Sequence, residues 1–229
     1  MAKMTHFKGE ITRKSLWVES DVNLWKLSVI FPQHVVLKIW KHQQTQNSIY
    51  FIAKEKLFTN KHTKFGKAIN IRGGEYGNAL LSKFPLQNVC VIPIPDATNK
   101  EENVFYESRS IIKAKIVVNN TCFNLLSTHF GLAREEQTNG TKVICDLSKD
   151  LQNIIFMGDL NLTPKNINFK TLCENFNNTI DLEKFSFRSD NPTSRIDYIF
   201  TSKNLIYENH TVIRTYKERT NMNQRGNTV

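Results

Sequence analysis

Two apolar segments joined by an Asn-Asn pair constrain the fold of this chain most strongly. Residues 110–118 read SIIKAKIVV and alternate apolar with polar side chains, which is typical of a β-strand with one buried face. Asn119 and Asn120 favour a tight turn, because Asn tolerates positive φ. Residues 122–130, CFNLLSTHF, then provide the second strand of a β-hairpin. The apolar face of this hairpin must pack against another layer of the protein.

Further strands and a few helices are predicted around this hairpin. The predicted strands cover residues 62–69, 76–82, 89–94, 153–159, 195–202 and 207–216, and the predicted helices cover residues 45–58, 141–151 and 165–177. Residues 70–76 contain Gly73 and Gly74 and are predicted to form a loop. Many strands with few helices predict an α/β fold in which two mixed sheets pack face to face. A length of 229 residues, 40% of them hydrophobic, suits a single domain over residues 1–229.

The positive charge of the chain is concentrated at its two ends. The formal net charge is +10, and residues 1–62 hold ten Lys or Arg against four Asp or Glu. Residues 214–229 hold four against one, whereas residues 63–213 hold seventeen against sixteen. Basic proteins often bind nucleic acid, but a solvated basic tail is the alternative explanation here. Charge alone therefore does not select nucleic acid as the substrate.

The four cysteines and the N-terminal residues bear on the cellular compartment. The cysteines, which lie at positions 90, 122, 145 and 173, form no C-x-x-C pair. This spacing argues against a zinc knuckle and predicts four buried, reduced thiols rather than disulfides. The N-terminal residues MAKMTHFKGE contain no apolar h-region, and no apolar segment is long enough to cross a bilayer. These features predict a cytoplasmic, monomeric protein without a membrane span.

The segment Gly158-Asp159-Leu160-Asn161 ends a predicted strand and carries the strongest chemical pattern. A carboxylate at this position can hold Mg²⁺ or activate water. If the chain stays extended, Asn161 points to the same side as Asp159 and can bind a phosphoryl oxygen. For an isolated G-D-x-N segment, the alternative is an Asx turn that leaves the strand.

Three further segments carry polar side chains near predicted strand ends. His129 ends a hairpin strand and can contact a phosphate or protonate a leaving oxygen, although a single His is more often structural. Asp197, in Ser194-Arg195-Ile196-Asp197-Tyr198, can orient a catalytic His. The segment Glu107-Ser108-Arg109 precedes the hairpin. For both Arg-containing segments the alternative is a surface ion pair, which contributes little to stability.

The order and spacing of these segments resemble the endonuclease/exonuclease/phosphatase family. E-x-R before a hairpin is followed by T-H, then G-D-x-N, then R-I-D-Y, and residues 73–86, GGEYGNALLSKFPL, are similar to its bacterial branch. The resemblance covers about residues 64–216. It implies a four-layer α/β/β/α sandwich of two mixed sheets flanked by helices, with the active site at one rim of the sheets. It also implies hydrolysis of a phosphate ester by a metal-assisted water.

The resemblance assigns a role to each candidate residue. Asp159 would bind Mg²⁺ or Mn²⁺ and position or deprotonate the water, and Asn161 would hold a phosphoryl oxygen. His129 would contact the phosphate or assist the leaving group. Asp197 would orient the terminal histidine of the family, and Arg109 would support substrate binding. The implied substrate is a phosphate ester, with nucleic acid as one option.

Both ends of the chain depart from the family pattern. Residues 4–7, MTHF, lack the Asn that ends the first strand of the family. Residues 34–40, HVVLKIW, lack the Glu that is its main Mg²⁺ ligand, and residues 219–225 lack its terminal S-D-H. Glu75 and His210 are poor substitutes, because Glu75 falls in the predicted loop and His210 does not follow the last predicted strand. We therefore expect ends that are degenerate or translated in a shifted frame.

These observations leave three hypotheses. The leading one is a Mg²⁺-dependent phosphodiesterase or nuclease with impaired activity. The second is a catalytically inactive relative that binds phosphate-containing ligands, which the missing Glu favours. The third is a globular remnant without function, destabilised by the altered end strands.

Overall fold

The computed structural model describes residues 6–8, 10–13, 27–31, 35–39, 62–71, 74–82, 84–178, 185–187, 193–209 and 212–214. The strands are β1 (His6–Lys8), β2 (Glu10–Arg13), β3 (Leu27–Phe31), β4 (Val35–Ile39), β5 (His62–Ile71), β6 (Gly74–Ser82), β7 (Gln87–Pro93), β8 (Ser110–Val118), β9 (Thr121–His129), β10 (Ile154–Asp159), β11 (Phe176–Asn178), β12 (Asp197–Ser202), β13 (Ile206–Asn209) and β14 (Val212–Arg214). The helices are α1 (Arg134–Lys149) and α2 (Ile167–Asn175).

The predicted hairpin is confirmed as β8 and β9. The two strands pair antiparallel from Ile111 opposite Thr128 to Val118 opposite Thr121. Asn119 and Asn120 form the turn with φ values of 48° and 62°. Their positive φ values match the left-handed conformation that Asn tolerates and that tight hairpin turns require.

The hairpin lies within a mixed six-stranded sheet, here called the first sheet. Its strand order is β11-β12-β10-β9-β8-β7. Strand β10 is parallel to β9 and antiparallel to β12, and α1 connects the two parallel strands. One face of this sheet packs against the helices, forming an apolar core around Phe156 that includes Ile144 of α1 and Leu172 of α2.

The other face of the first sheet packs against a second six-stranded sheet. The order of this second sheet is β14-β2-β3-β4-β6-β5, and it is mixed because β14 is parallel to β2. A core that contains Leu80, Ile112, Leu125 and Met157 lies between the sheets. A Cβ atom at Gly66 of β5 would lie 2.4 Å from Ile112 Cγ1, so the two sheets approach closely there. This arrangement confirms the predicted α/β sandwich of two mixed sheets.

Several predicted boundaries are wrong. The predicted loop at 70–76 is largely strand, because β5 continues to Ile71 and β6 begins at Gly74. Helix α1 begins at Arg134, ahead of the predicted residue 141. The buried residues of its first half are polar or glycine, so no apolar spacing marks its start. The predicted strand at 207–216 is divided between β13 and β14, which pair with different strands.

Residues 34–40, which the resemblance matches to the Glu-bearing strand of the family, contain β4, whereas the predicted helix at 45–58 lies outside the described residues. The four cysteines are free thiols, but they are not buried as predicted, since Cys90 and Cys122 are exposed. No helix in the described part of the chain is long and apolar enough to span a membrane.

Candidate active site

Three candidate residues form one row across adjacent strands. Asp159 ends β10 and lies opposite His129, the last residue of β9, and Asp197, the first residue of β12. All three side chains are buried. Residues at matching register on neighbouring strands face the same side of a sheet. Sheet pairing therefore brings together three residues that are far apart in sequence, at an end of the first sheet here called the site rim.

Asn161 reaches this row through a turn and not through an extended chain. Its backbone N–H donates to Asp159 Oδ1 at 3.1 Å, and its φ is 50°. The extended geometry predicted for this segment is therefore wrong, and the Asx turn is present. The turn directs Asn161 Nδ2 to the Phe130 carbonyl oxygen at 2.8 Å and to within 3.0 Å of His129 Nε2. The Asx turn and the candidate site are therefore not alternatives, because the turn itself brings the Asn161 carboxamide next to His129.

Gly158 allows β9 and β10 to approach closely beside the site. A Cβ atom at this position would lie 2.2 Å from the Thr128 carbonyl oxygen, which is far inside van der Waals contact. Gly158 therefore has a packing role in the G-D-x-N segment, since any side chain would separate Asp159 from His129.

Arg109 lies beneath His129 in a buried polar cluster. Its Nη1 is 2.7 Å from His129 Nδ1 and donates to the Tyr76 hydroxyl at 3.0 Å. Its Nη2 is 2.6 Å from Glu107 Oε2, and the two side chains are only 6% and 11% exposed. Burial raises the pKa of the Tyr76 hydroxyl well above its ordinary value, so this group stays neutral. The alternative of a surface ion pair at Glu107 and Arg109 is therefore wrong, because packing of β6 over β8 encloses the pair.

Asp197 is anchored by a residue that the sequence patterns do not indicate. Ser186 Oγ donates to Asp197 Oδ2 at 2.8 Å and accepts from the Asp197 backbone N–H at 3.2 Å. A bridge between Phe187 and Ser194 brings this segment alongside β12. Arg195 is buried with its guanidinium carbon 5.3 Å from the centre of the Tyr198 ring, so a surface Arg–Asp pair is also wrong here.

Two buried polar residues of α1 hold the loops of the site rim. Gln137 Nε2 donates to the Asn161 carbonyl oxygen at 3.1 Å and lies 3.4 Å from the Gly131 carbonyl oxygen. Glu136 Oε1 accepts from the Glu107 backbone N–H at 2.8 Å. The sequence patterns did not indicate either residue, because both precede the helix that was predicted to begin at residue 141. The position of Glu136 and Gln137 shortly after the predicted strand at residues 122–130 is the one sequence signal that could have indicated them.

Asp159 is the carboxylate of this site that the sequence predicts as a ligand of a divalent cation. Among the described residues, no group of three or more His, Cys, Asp or Glu side chains is arranged to bind a metal. Glu75 is exposed and pairs with Lys67 at 3.2 Å, so it is not a substitute ligand, and His210 lies outside the described residues. Mg²⁺ is commonly held by one or two carboxylates together with water and phosphate oxygens. Asp159 is a ligand of the chemical type that such a site uses, and its role as a metal ligand stays a prediction.

Exposed apolar side chains, here called the apolar rim, lie close in sequence to residues of the site. This apolar rim consists of Phe105, Leu132, Phe185 and Phe187, which are between 40% and 61% exposed. Each is close in sequence to a residue of the site: Phe105 precedes Glu107, Leu132 follows His129, and Phe185 and Phe187 flank Ser186. The sequence alone did not indicate a base-stacking surface, because these residues come from three separate loops.

Comparison with known proteins gives one family. The family model described as Endonuclease/Exonuclease/phosphatase family matches residues 34–219. The match does not distinguish branches, so membership of the bacterial branch stays a prediction. No curated protein sequence gives a significant match.

Solved structures share the fold at low sequence identity. An endonuclease/exonuclease/phosphatase family protein from Leptotrichia buccalis C-1013-b has a TM-score of 0.55 and 18% identity, over 76% of this chain and 72% of that chain. D. rerio TDP2 complexed with a single-strand DNA product has a TM-score of 0.54 and 13% identity, over 73% and 70%. The human Nocturnin catalytic domain with a bound sulfate anion has a TM-score of 0.50 and 20% identity, over 73% and 69%.

Proposed function

Because this chain belongs to the endonuclease/exonuclease/phosphatase family, we propose that it hydrolyses phosphate esters at the site rim. The observation that carries this proposal is the register that aligns His129, Asp159 and Asp197 on three adjacent strands. Burying three neighbouring polar side chains costs free energy unless they are paired, so a purely structural sheet gains nothing from this alignment. Their alignment supports a site built for chemistry.

Asp159 is the residue that we assign to the attacking water. Its Oδ1 is held by the Asn161 backbone N–H, and its Oδ2 lies 4.0 Å from His129 Nε2. A carboxylate held in this way can orient a water molecule and accept its proton. Asp159 would also be the protein ligand of Mg²⁺ or Mn²⁺. When bound, such an ion would supply positive charge that stabilises the charge developing on the phosphoryl group.

Asn161 and His129 are the residues that we assign to the phosphoryl group. Their side-chain nitrogens are 3.0 Å apart at the mouth of the turn, and N–H groups placed in advance stabilise developing negative charge without reorganisation. Asp197, tied to Ser186, would fix the neighbouring strand, and Arg109 would support the site from below.

We further propose that the ester is a phosphodiester of single-stranded nucleic acid. The apolar rim contains three exposed Phe residues that are close in sequence to residues of the proposed site. Aromatic side chains stack on unpaired bases, which contributes about 1–3 kcal/mol per base. The likeness of the fold to D. rerio TDP2, which was solved with a single-strand DNA product, is compatible with this class of substrate.

A catalytically inactive, phosphate-binding relative is the second candidate. The observation that favours it is the sequence of β4, Val35–Ile39, which contains no carboxylate at the strand where the family is expected to carry its main Mg²⁺ ligand. Loss of one ligand of a cooperating set lowers the rate by orders of magnitude.

Hydrolysis assays with matched variants separate the two candidates. We would test plasmid DNA, a single-stranded oligonucleotide, an abasic duplex, bis-p-nitrophenyl phosphate and a phospholipid, each with Mg²⁺, Mn²⁺ or EDTA. We expect Asp159→Asn to lower turnover by about 10²–10⁴-fold, because it removes the proposed proton acceptor. Asp150→Asn is the control, since Asp150 is exposed and precedes β10, at the opposite end of that strand. Equal turnover in both variants would contradict the assignment, and binding without any turnover would support the inactive relative.

The proposed stacking surface has its own test. We expect the double variant Phe185→Ala and Phe187→Ala to lower kcat/KM for a single-stranded oligonucleotide by about 5–150-fold, corresponding to about 1–3 kcal/mol of lost stacking. An oligonucleotide with abasic positions around the cleavage site should be affected much less. Val117→Ala is the control, because Val117 is 42% exposed but lies near the opposite end of β8. An equal effect on both oligonucleotides would contradict base stacking.

A further inference from the structure

The turn over residues 160–168, which connects β10 to α2, is fixed between α1 and β12. On the α1 side, Gln137 Oε1 accepts a hydrogen bond from Asn166 Nδ2 at 3.2 Å. At the other end of the turn, the Leu160 backbone N–H donates to the carbonyl oxygen of Ile196, which directly precedes β12, at 2.8 Å. The backbone of this turn is therefore held beside the site rim from two sides.

Two exposed cations lie on this turn and at the start of α1. Lys165 belongs to the turn, and Arg134 is the first residue of α1. Lys165 follows Asn161 by four residues, and Arg134 follows His129 by five. Since an extended chain spans at most about 3.6 Å per residue, the two backbone positions lie within about 14 Å and about 18 Å of these site residues. Both cations are thus close enough to meet phosphates a few nucleotides away from the proposed phosphoryl site.

Neither cation is neutralised by a carboxylate. In the part of the chain that the structure describes, Arg134 and Lys165 form no ion pair. By contrast, Lys142 and Lys149 further along α1 both pair with Asp146, at 2.7 Å and 2.6 Å. Residues 160–170 also contain two Lys and no Asp or Glu. The positive charge at this turn is therefore available to an external anion.

The loop on the other side of the site is acidic. Residues 95–107, which connect β7 to β8, contain one Lys against four Asp or Glu. Glu135 of α1 adds a further carboxylate, which accepts from the Thr98 backbone N–H at 2.9 Å and from its hydroxyl at 2.7 Å. In the first sheet, β8 lies on one side of the pair β9 and β10, and β12 lies on the other. A polyanion is therefore repelled on the β8 side of the site and attracted on the β12 side.

An exposed apolar side chain accompanies each cation. Leu132 and Ile167 are 57% and 60% exposed, and each lies two residues from Arg134 or Lys165. Proteins that bind single strands combine a positively charged path for the backbone with side chains on which the bases rest. A small phosphate ester needs only the proposed phosphoryl site, whereas these features suit a longer strand.

We propose that Arg134 and Lys165 form a separate subsite that binds backbone phosphates of a nucleic-acid strand on the β12 side of the site rim. Its substrate class rests on the proposed function, but it uses none of the residues assigned to the phosphoryl group. Arg134 and Lys165 bind and orient the strand and take no part in the chemistry. The acidic loop at residues 95–107 disfavours the opposite path, so the strand leaves the site in one direction.

The salt dependence of binding tests this subsite in the full-length chain. We would measure the affinity for a labelled single-stranded oligonucleotide between about 50 and 200 mM salt, in EDTA to prevent metal-dependent hydrolysis. The logarithm of the affinity falls linearly with the logarithm of the salt concentration, with a slope of about −0.7 for each neutralised phosphate of a single strand. We expect the double variant Arg134→Gln and Lys165→Gln to reduce the slope by about 0.7 for each lost contact.

A matched double variant controls for the loss of net charge. Lys142→Gln and Lys149→Gln remove the same charge from side chains of α1 that are 75% and 72% exposed and already paired with Asp146. The slope of this control should equal that of the wild type. Arg134→Lys should also keep the wild-type slope, because counterion release depends on the charge and not on the guanidinium. Circular dichroism verifies that each variant is folded.

A wild-type slope in the Arg134 and Lys165 double variant would overturn the proposal, as would an equal reduction in the control. An oligonucleotide with uncharged methylphosphonate linkages should bind the wild type and the double variant equally, and a difference there would contradict contact with phosphates. These measurements need no turnover, so absence of hydrolysis would count against the proposed function alone. Hydrolysis of bis-p-nitrophenyl phosphate together with unchanged slopes would remove only the subsite.

Discussion

Tyr76 connects the two sheets at the level of a single side chain. It lies on β6 of the second sheet, and its hydroxyl accepts a hydrogen bond from Arg109, which directly precedes β8 of the first sheet. The Arg109 guanidinium carbon is 5.6 Å from the centre of the Tyr76 ring, so the aromatic face also attracts this cation. The second sheet therefore contributes to the site through the contact of Tyr76 with Arg109.

The buried hydroxyl of Tyr76 predicts a pH dependence of stability. Burial raises its pKa above the ordinary value of about 10, and the nearby Arg109 only partly opposes this shift. A raised pKa in the folded state means that the stabilising contribution is complete below pH about 10 and is lost as the pH rises further. We expect the free energy of unfolding of the wild type to fall more steeply above pH 10 than that of Tyr76→Phe. Urea unfolding at a series of pH values measures this, and equal slopes would contradict it.

At the level of elements, the pairing of β9 with β10 determines the geometry of the site. The G-D-x-N segment ends β10, and Gly158 lies in register with Thr128 of β9. Helix α1 then connects the two strands and returns Gln137 to the turn that contains Asn161. The same short segment thus carries the proposed catalytic carboxylate, the close contact between strands and the anchored turn.

Gly158→Ala should therefore lower both the stability of the protein and the activity of the molecules that remain folded. Its Cβ would meet the Thr128 carbonyl oxygen, a backbone atom that moves only with its strand. We expect a destabilisation of about 1–3 kcal/mol from overpacking. We also expect a loss of about 10²-fold in turnover, since a misplacement of about 1 Å at a catalytic group has that effect.

Ile155→Val provides the matched control on the same strand. Ile155 is buried near the start of β10, and its loss of a methylene group should cost about 0.5–1.5 kcal/mol without moving Asp159. Activity per folded molecule, with the folded fraction determined by circular dichroism, separates the two variants. An equal specific activity would show that Gly158 has no role in placing Asp159.

At the scale of the whole molecule, two apolar cores support the first sheet from opposite faces. The core on the helix side contains an aromatic cluster in which Phe156 stacks on Phe200 with ring centres 5.6 Å apart and an angle of 14° between the planes. Phe130 and Phe176 pack against the same ring at 6.5 Å and 6.0 Å. An apolar cluster of this extent is expected to unfold cooperatively, which bears on the hypothesis of a remnant without function.

Phe156→Ala should lower the free energy of unfolding by about 3–5 kcal/mol, because it removes a fully buried ring and leaves a cavity. Phe105→Ala is the control, since Phe105 is 61% exposed and its removal should change stability by less than about 0.5 kcal/mol. Urea unfolding followed by fluorescence and by circular dichroism measures both effects. Wild-type transitions that do not coincide, or that lack cooperativity, would favour the remnant.

Features that depend on local periodicity and on short motifs could be predicted from the sequence. Alternation over residues 110–118 and the Asn119-Asn120 pair predicted the central hairpin, because strand and turn preferences act over a few neighbouring residues. The order of E-x-R, T-H, G-D-x-N and R-I-D-Y predicted the family and its α/β sandwich, which the family match and the strand order confirm.

Tertiary structure decided everything that depends on residues far apart in the chain. The contact of Arg109 with His129, the bond of Gln137 to the Asn161 turn and the anchor of Ser186 on Asp197 all follow from sheet register and helix packing. Local sequence patterns do not specify which distant strand will pack beside a given segment. They therefore could not distinguish a buried Arg109 from a surface ion pair. For the same reason, the sequence did not predict the first turns of α1, whose buried residues are polar or glycine and pack over the loops of the site rim.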